Sequence, residues 1–313
     1  MKHVLSLFVG ILLLAACGQS YEETKRLTRQ QRREAFRADS AALKIAVMPT
    51  LDCLPLFVAR HEHLLDTLHG GVRLKYFTAQ MDCDTAMLHG RVEGLMTDLV
   101  RAKCMERQGM ALRYVAATNA YWQLIANRSA RIHQLRQLDD KMVAMTRYSA
   151  TDLLTDLATD SARLLPERVF KVQVNDVFVR LQMLRNNELD VLWMTEPQAT
   201  AARTQKHNVV VDTRDLGLRL GVMAFNDREM QRPERAAQLK LLVEAYNKAC
   251  DLLNRRGVRH YRDLLLKHYR AKQATVDSLP AKLTFVHAAE PRQSDVDVAA
   301  KWLERSIKQK VTK

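Results

Sequence analysis

The sequence predicts an α/β fold of two similar lobes, each with a mixed, mainly parallel sheet flanked by helices. From Leu43 onward, short apolar runs alternate with amphipathic stretches, a pattern typical of βαβ units. Residues 92–98, VEGLMTD, resemble residues 189–196, LDVLWMTE: both end in Met-Thr and an acidic residue. The likeness favours two related lobes, although the common strand–loop–helix pattern of βα units would also produce it. After Pro233 the pattern is almost wholly helical, which predicts a helical C-terminal tail.

The elements of the first half follow from apolar spacing and glycine stop signals. Strands are expected at LKIAVM, VRLKYFT, VEGLMT and LRYVAAT, which are short apolar or alternating runs. Helices are expected at PLFVARHEHLLDTL, DCDTAMLHG and DLVRAKCMERQG. Gly70, Gly71 and Gly109 stand where the first and third of these helices should end.

The same alternation continues through the second half. Strands are expected at KMVAM, FKVQVN, LDVLWMT, NVVVDT and GLRLGVMAFN, and helices at SATDLLTDLATDSA, DVFVRLQMLRNNE and PQATAARTQK. Pro197 suits the start of the last helix because a first-turn N–H has no partner in the helix. Three helical stretches follow: RAAQLKLLVEAYNKACDLLNRRG, HYRDLLLKHYR and DVAAKWLERSIKQ.

The composition is that of a folded chain with excess positive charge. The 313 residues are 47% apolar and 27% charged, an ordinary globular balance, and the net charge is +14. Such an excess can indicate nucleic acid, an anionic membrane or an anionic ligand. Here the basic residues are spread along helical stretches such as KRLTRQQRREAFR, without zinc-finger spacing or an aromatic-rich RNA-binding segment. We therefore expect solvated helix faces and no nucleic-acid partner.

The N-terminus predicts an export signal. Lys2 and His3 precede an apolar stretch from 4 to 16 that ends in LLLAACGQS, and its length is typical of a signal peptide. The segment LAAC, ending at Cys17, resembles the lipobox of bacterial lipoproteins. The resemblance implies a signal peptide at 1–16, lipidation of Cys17, and a tether at 17–42 that holds the protein to the periplasmic or extracytoplasmic side of a membrane. An ordinary secretory peptide with a chance cysteine is the alternative.

The other cysteines do not form a redox or zinc motif. Cys53, Cys83, Cys104 and Cys250 are not arranged in CxxC pairs. In an oxidising compartment they could form disulfides, and Cys53 and Cys83 are the candidate pair because each follows a predicted strand by a few residues. Buried free thiols are the alternative interpretation.

Polar loops at the ends of the predicted strands are the candidate ligand site, since ligands of open α/β sheets bind beyond the carboxyl ends of the strands. The loop TRYSATD, 146–152, is best suited to an anion: Ser149 or Thr151 can cap the next helix, whose first N–H groups would face a ligand beside Arg147. Simple helix capping, with Arg147 in solvent, is the alternative. The candidate loops are 49–54, 78–84, 97–98, 118–122, 146–151, 175–176 and 194–197.

The sequence offers little support for catalysis or for a metal. It contains no GxSxG, HExxH, P-loop or GxGxxG motif. His61 and His63 are two apart on a predicted helix and so face different ways. Asp82, Cys83 and Asp84 could bind a metal, but a helix start with acidic residues explains them more simply. We expect no enzyme activity, no cofactor and no metal.

Three segments, in order, resemble one family. LKIAVMPTLDCLPLFVARHEHLL, GRVEGLMTDLV and LQMLRNNELDVLWMTEPQATAA are similar to motifs of the periplasmic substrate-binding proteins of ABC transporters, type II, in the branch for nitrate, sulfonate, taurine and thiamine precursors. The likeness covers about 43–246. The family usually has glycine where this chain has His63 and Asn187. The cysteine-rich loop of its pyrimidine-synthase relatives is absent, so the resemblance does not identify a ligand.

The resemblance implies two lobes joined by two crossovers and closing by hinge motion on a small molecule. The first lobe is expected at 43–128 and 218–270, the second at 129–217, and a helical tail at 271–313, packed on the first lobe. The expected ligand-binding residues stand in the candidate loops. They are Thr50, Asp52, Thr78, Gln80, Thr97, Asp98 and Asn119 from the first lobe, and Thr146, Tyr148, Ser149, Asn175 and Glu196 from the second.

The function implied is that of a lipid-anchored solute-binding protein that captures a small polar organic ligand and delivers it to an ABC permease. Two alternatives remain open from sequence. One is a cleft enzyme of the same fold, similar to menaquinone-pathway dehydratases, with an acid/base pair such as Asp98 and Tyr148. The other is a surface scaffold lipoprotein that uses its basic C-terminal helices for contact.

Overall fold

The computed structural model describes residues 21–65 and 71–311. The expected signal peptide at 1–16 and the lipidation site at Cys17 lie outside these residues. Most of the expected tether is one helix, α1 (Tyr21–Ala41), which leads directly into the first strand. Within the described ranges, no helix has the length and apolar character needed to cross a membrane.

The expected alternation of strands and helices is present. The strands are β1 (Leu43–Val47), β2 (Val72–Tyr76), β3 (Gly94–Asp98), β4 (Leu112–Ala117), β5 (Gln123–Ala126), β6 (Lys141–Met145), β7 (Val169–Gln173), β8 (Val191–Met194), β9 (Asn208–Asp212) and β10 (Gly221–Asn226). After α1, the helices are α2 (Leu54–His61), α3 (Gln80–Leu88), α4 (Leu99–Arg107), α5 (Ala150–Ser161), α6 (Val177–Arg185), α7 (Gln198–Arg203), α8 (Asp227–Met230), α9 (Pro233–Arg256), α10 (Arg262–His268), α11 (Gln273–Asp277) and α12 (Gln293–Val311).

The strands form two five-stranded sheets with the same topology. The first has the order β2-β1-β3-β10-β4 and the second β7-β6-β8-β5-β9. In each sheet, one strand runs antiparallel to its neighbours: β10 in the first and β5 in the second. The two similar sequence segments contain β3 and β8, each with flanking residues, and these strands hold the same central position in their sheets. The predicted fold class, with mixed and mainly parallel sheets in two lobes, is confirmed.

The exchange of strands between lobes moves one expected boundary. The segment 43–128 was expected to belong wholly to the first lobe, but β5 pairs with β8 and β9 and so belongs to the second sheet. The first crossover therefore lies between Ala117 and Gln123. The second lies between Asp212 and Gly221, a range that contains the expected boundary at 217/218. β5 is also the one strand that the sequence analysis does not predict. Local apolar patterns do not show which strand a segment pairs with, which is why its residues were included in the first lobe.

Two departures from the family pattern mark helix ends. His63 and Asn187, which stand where the family usually has glycine, both have positive φ, at 54° and 59°. Each lies in a turn closed by a backbone bond across six residues, from Leu64 N to Ala59 O (2.8 Å) and from Glu188 N to Met183 O (2.9 Å). This left-handed position favours glycine. It also ends α2 at His61, several residues before the expected stop at Gly70.

The C-terminal tail contacts both lobes rather than only the first. Val276, Leu279 and Phe285 are buried in the core of the first lobe. Helix α12, in contrast, packs against α4 of the first lobe and α5 of the second. The Trp302 indole of α12 also donates a hydrogen bond to Asp156 of α5 (3.0 Å). The expected packing on the first lobe is therefore only half of the arrangement, because α12 braces the two lobes together.

We expect Leu303→Ala to lower the free energy of unfolding by about 3 kcal/mol, since Leu303 is buried in the apolar cluster that joins α12 to both lobes. Denaturant unfolding of the purified protein measures this change. Leu241→Ala is the matched control, because Leu241 on α9 is 59% exposed and should cost much less. Equal losses in the two variants would contradict the bracing role of α12.

Candidate functional site

A cavity of about 80 Å³ lies between the two sheets, beyond the carboxyl ends of their parallel strands. Eight of the twelve expected ligand-binding residues line it: Thr50, Asp52, Gln80, Thr97, Asp98, Thr146, Ser149 and Asn175. The sequence-based choice of loops therefore places most of the chosen side chains around one space. Residues not chosen from sequence complete the lining: Met48, Met96, Ala120, Trp122, Thr151, Val177, Arg180, Trp193, Met194 and Thr195.

Asp52 presents a buried carboxyl group on the first-lobe wall. The chain leaves β1, makes a short 3-10 turn at Leu51–Cys53 and enters α2. Asp52 does not cap α2, whose N-cap residue Cys53 makes no side-chain capping bond. Its carboxyl group instead accepts a long bond of 3.5 Å from the Thr118 hydroxyl. Burial raises the pKa of Asp52, because desolvation opposes the charged form.

Asp98 is the second carboxyl group on this wall and is 6% exposed. It ends β3 and caps α4, where its Oδ1 accepts from the Arg101 backbone N–H (3.0 Å). Burial raises its pKa to about 7, although the capping bond and the Arg101 charge act in the opposite direction. The guanidinium of Arg101 forms its ion pair with the buried Asp84 and not with Asp98. Asp98 therefore has no cation as a direct partner in the described chain.

The first turn of α5 forms the second-lobe wall, as the loop TRYSATD predicted. Ser149 caps the helix by accepting from the Thr151 N–H (3.1 Å), and its hydroxyl donates to the Thr146 carbonyl (2.7 Å). Both hydroxyl-bearing residues, Ser149 and Thr151, line the cavity. The side chain of Arg147 is exposed and does not line it. The positive charge expected from Arg147 comes instead from another residue.

That residue is Arg180 on α6, which is 4% exposed. Its guanidinium donates to the carbonyls of Val174 (3.0 Å) and Trp193 (3.0 Å) and to the Thr146 hydroxyl (2.8 Å). Within the described ranges, no carboxylate forms an ion pair with it. Burial lowers its pKa to about 10, so the group is still cationic at neutral pH. Neutral partners thus hold a buried positive charge at the wall of the cavity, and the Asp176 carboxylate acts on it only without an ion pair.

The charges of the lining are divided between the lobes. Asp52 and Asp98 are on the first lobe and Arg180 is on the second, and the other lining residues are uncharged. An isolated buried charge is costly unless an opposite charge or strong hydrogen bonds compensate it. The cavity therefore suits a ligand with a cationic group toward the first lobe and an anionic group toward the second.

The same two-lobed architecture occurs in solved binding proteins. The alkanesulfonate-binding protein of Xanthomonas axonopodis, bound to MOPS, matches with a TM-score of 0.72 at 14% identity, over 86% of this chain and 93% of that one. The aliphatic sulphonate-binding protein of Escherichia coli gives 0.71 at 15%, over 86% and 88%. The nitrate-binding protein of Synechocystis gives 0.66 at 12%, over 80% and 74%. No protein-family model and no curated protein matches the sequence.

The chain has the type II periplasmic-binding-protein fold. At these identities the likeness establishes the fold and not the ligand. The resemblance of the three sequence segments is thereby confirmed at the level of architecture. Eight of the twelve expected ligand-binding residues meet in the cavity between the lobes, which we call the cleft.

The two lobes of the binding-protein fold touch at the rim of the cavity. The Leu51 N–H donates to the Glu196 carbonyl (2.9 Å), and the Gln198 amide donates to the Pro49 carbonyl (2.7 Å). These bonds join the loop that follows β1 in the first lobe to the start of α7 in the second lobe. The structure is therefore a closed form, and the cavity volume is that of a closed cleft.

Glu196 was expected to contact ligand but does not line the cleft. It is buried and its carboxylate accepts from the Tyr121 hydroxyl (3.1 Å), the Arg203 guanidinium (2.7 Å) and the Thr200 N–H (2.9 Å). These bonds hold the start of α7 against the crossover. The acidic residue after β8 is thus structural, because its oxygens are already used within the protein.

Three other expected contacts also lie outside the lining. Thr78 donates to Asp176 on the opposite lobe and so forms part of the interlobe contact. Asn119 donates to the Thr284 carbonyl (3.1 Å) and lines a separate cavity at the crossovers. Tyr148 has φ of 53° and lies outside the cleft lining. Asp98 and Tyr148 therefore do not meet in the cleft as the acid/base pair that the enzyme alternative required.

The candidate disulfide is not formed. Cys53, Cys83, Cys104 and Cys250 are all free thiols, and Cys53 and Cys83 are buried. The Cys53 sulfur accepts from the Met48 N–H (3.4 Å) and so belongs to its own loop. Burial raises the pKa of both Cys53 and Cys83 well above the usual value. The alternative of buried free thiols is the arrangement observed.

Arg180 was missed although the sequence carries a signal for it. Val177, Leu181 and Leu184 have the spacing of one helix face, and Arg180 falls on that face. A cation on a face that should be buried is unusual and indicates a function or a special environment. Trp122 and Trp193 have no comparable signal, since aromatic residues at strand ends are common in cores.

Proposed function

We propose that this protein is a solute-binding protein of an ABC import system and that its ligand is a small zwitterion. The ammonium group of the ligand lies toward Asp52 and Asp98, and its anionic group lies toward Arg180 and the first turn of α5. The protein binds and releases the ligand without chemical change.

The division of charge between the lobes carries this proposal. A simple anion would be attracted to Arg180 but would oppose the ionisation of Asp52 and Asp98, whose carboxyl groups line the same space. A simple cation would leave Arg180 without an anionic partner in the cleft. A zwitterion pairs with the charged residues of both lobes. Because both lobes contact it only when they are closed, the zwitterion binds the closed form more tightly than the open form and shifts the equilibrium toward closure.

The cavity limits the size of the ligand. At about 80 Å³ it is smaller than an engineered cavity of about 150 Å³ that admits one benzene molecule. The ligand is therefore short-chained, or it holds the lobes slightly further apart than they are here. Two solved proteins of the same fold are named for binding sulfonates, which supports a sulfonate or carboxylate as the anionic group.

The resemblance to ABC substrate-binding proteins supports an extracytoplasmic location and a permease partner. In the proposed arrangement, lipidated Cys17 anchors the chain to the membrane. Helix α1 then connects the anchor to the first lobe, where Asp39 pairs with Lys75 (3.0 Å) and Lys44 (3.5 Å). Labelling with a radioactive or alkynyl fatty acid tests the anchor, with Cys17→Ser as the unlabelled control.

Three probes of similar size test the charge of the ligand: taurine, ethanesulfonate and ethylamine. Isothermal titration calorimetry should give clear binding for taurine and at least about tenfold weaker binding for each single-charge probe, because each lacks one ionic partner worth 1.4 kcal/mol or more. Ethanesulfonate binding as tightly as taurine would contradict the role of Asp52 and Asp98.

The pH dependence of binding provides a second test. An ammonium group beside Asp98 favours the ionised carboxylate, so binding must release a proton at pH values below the pKa of about 7. The affinity for taurine should therefore rise as pH increases from 5 to 7 and then level off. A purely anionic ligand near Asp98 would show the opposite trend.

A further inference from the structure

A second cavity, of about 190 Å³, lies between the lobes but away from the ligand cleft. Helix α6 separates the two spaces: Val177 and Arg180 face the cleft, whereas Phe178, Leu181 and Arg185 line the second cavity. Its opposite wall is the first-lobe segment from Tyr269 to Thr275. The remaining lining residues are Gln182, Pro197, Gln198, Ala201, Arg270, Ala271 and Lys272.

Buried polar atoms without partners are concentrated around this cavity. The Tyr269 hydroxyl, Gln198 Oε1 and Arg185 Nε are all buried and make no hydrogen bond within the described chain. Tyr269 is 1% exposed and Gln198 is 3% exposed. Leaving such a group unsatisfied is unfavourable, and native proteins rarely place several in one location. Three of the six such atoms in the described chain thus belong to residues that line this one cavity, which indicates a bound polar group.

The charge of the lining favours an anion. Arg185, Arg270 and Lys272 line the cavity, and the lining residues that the structure describes include no Asp or Glu. The guanidinium of Arg270 lies 4.5 Å from the ring of Phe178 on the opposite lobe, so a first-lobe cation already contacts the second-lobe wall. Burial also lowers the pKa of Arg185, as expected for a cation without a compensating charge.

We propose that this second cavity binds an oxyanion of the phosphate class and that this binding stabilises the closed form. The acceptor oxygens of phosphate suit the Tyr269 O–H and the Arg185 Nε–H. Inorganic phosphate also keeps a hydroxyl group at neutral pH, which can donate to Gln198 Oε1. Sulfate has similar size but no hydroxyl, so it matches only the donors. The cavity exceeds the volume of a single water, about 30 Å³, and has room for such an ion.

The position of the cavity gives the oxyanion a conformational effect. Gln198 belongs to the second lobe and already donates to Pro49 of the first, whereas Tyr269 is part of the first-lobe core. An ion held by both lobes binds the closed form better than the open one and shifts the equilibrium toward closure. The second site would thus make the receptor responsive to phosphate.

Calorimetry with inorganic phosphate, without any cleft ligand, tests the proposal. We expect saturable binding, at least about tenfold weaker binding in Tyr269→Phe and in Arg185→Gln, and weaker binding of sulfate to the wild type. Tyr269→Phe is informative because it removes only a hydroxyl that has no partner in the protein, so folding should be retained. Arg136→Gln, at an exposed arginine outside the cavity, is the charge-matched control.

Small-angle X-ray scattering measures closure separately. Phosphate should decrease the radius of gyration of the wild type and of Arg136→Gln, but not that of Tyr269→Phe at the same concentration. Absence of saturable binding, or equal binding by all variants, would overturn the proposal. Water molecules would then be the hydrogen-bond partners of the three buried polar atoms. Because no readout uses the cleft ligand, that result would not affect the proposed function.

Discussion

Arg180→Met should weaken taurine binding by about 100-fold or more. Removing one partner of a buried charge pair costs about 2–5 kcal/mol, and each 1.4 kcal/mol corresponds to a factor of ten in affinity. Arg180 is the only cationic residue among those that line the cleft. Without it, the anionic group of the ligand is buried against the neutral first turn of α5.

Two companion variants separate loss of charge from loss of structure. Arg180→Lys keeps the charge but has fewer donors for the carbonyls of Val174 and Trp193, so we expect an intermediate affinity. Arg147→Met removes a nearby but exposed arginine and should leave affinity nearly unchanged. Circular dichroism and thermal unfolding show whether each variant is folded. A folded Arg180→Met that binds taurine normally would contradict the proposed cleft chemistry.

The second large effect concerns Asp98 and stability. In the unfolded chain its pKa is about 3.8, and in the folded protein burial raises it to about 7. Between these values the folded state binds more protons than the unfolded state, so the stability contributed by this group is present at low pH. It is lost as pH rises through about 7. From pH 5 to pH 8 the ligand-free protein should lose about 3 kcal/mol through Asp98.

Asp98→Asn should remove most of that difference. Asparagine caps a helix about as well as aspartate, so the bond to the Arg101 N–H can persist while the titrating group is lost. Denaturant unfolding at pH 5 and pH 8 measures the change. Some slope should remain because burial also raises the pKa of Asp52 and Asp84. Asp160→Asn, at an exposed position on α5, is the control. An unchanged slope in Asp98→Asn would show that Asp98 is not the group responsible.

Ligand binding should counteract the same penalty. An ammonium group beside ionised Asp98 replaces the solvent lost on burial, so taurine should stabilise the protein more at pH 8 than at pH 5. The ligand-free protein thus carries a destabilising charge in its cleft that the ligand compensates. The ionised Asp98 therefore lowers the stability of the ligand-free protein but raises its affinity for a cationic group.

The sequence by itself determined nine of the ten strands and the end of the sheets where the cleft lies. Apolar alternation and turn residues specify strands such as β1 and β6, and the polar residues that follow them, Thr50 and Ser149, line the cleft. These signals are local: each depends on the period of a short segment and on the preference of a residue for a cap or a turn. That is why eight of the twelve chosen residues lie around one cavity.

Only the tertiary structure decided which charges line the cleft. Glu196 and Arg147 occupy suitable loops. The Glu196 carboxylate, however, accepts hydrogen bonds from Tyr121 and Arg203, and the Arg147 side chain is exposed to solvent. Arg180 reaches the cleft from a helix because Val174 and Trp193 supply its partners. The exchange of β5 into the second sheet is equally non-local. Burial, desolvation and partnership depend on residues far apart in the chain, and no short stretch of sequence contains them.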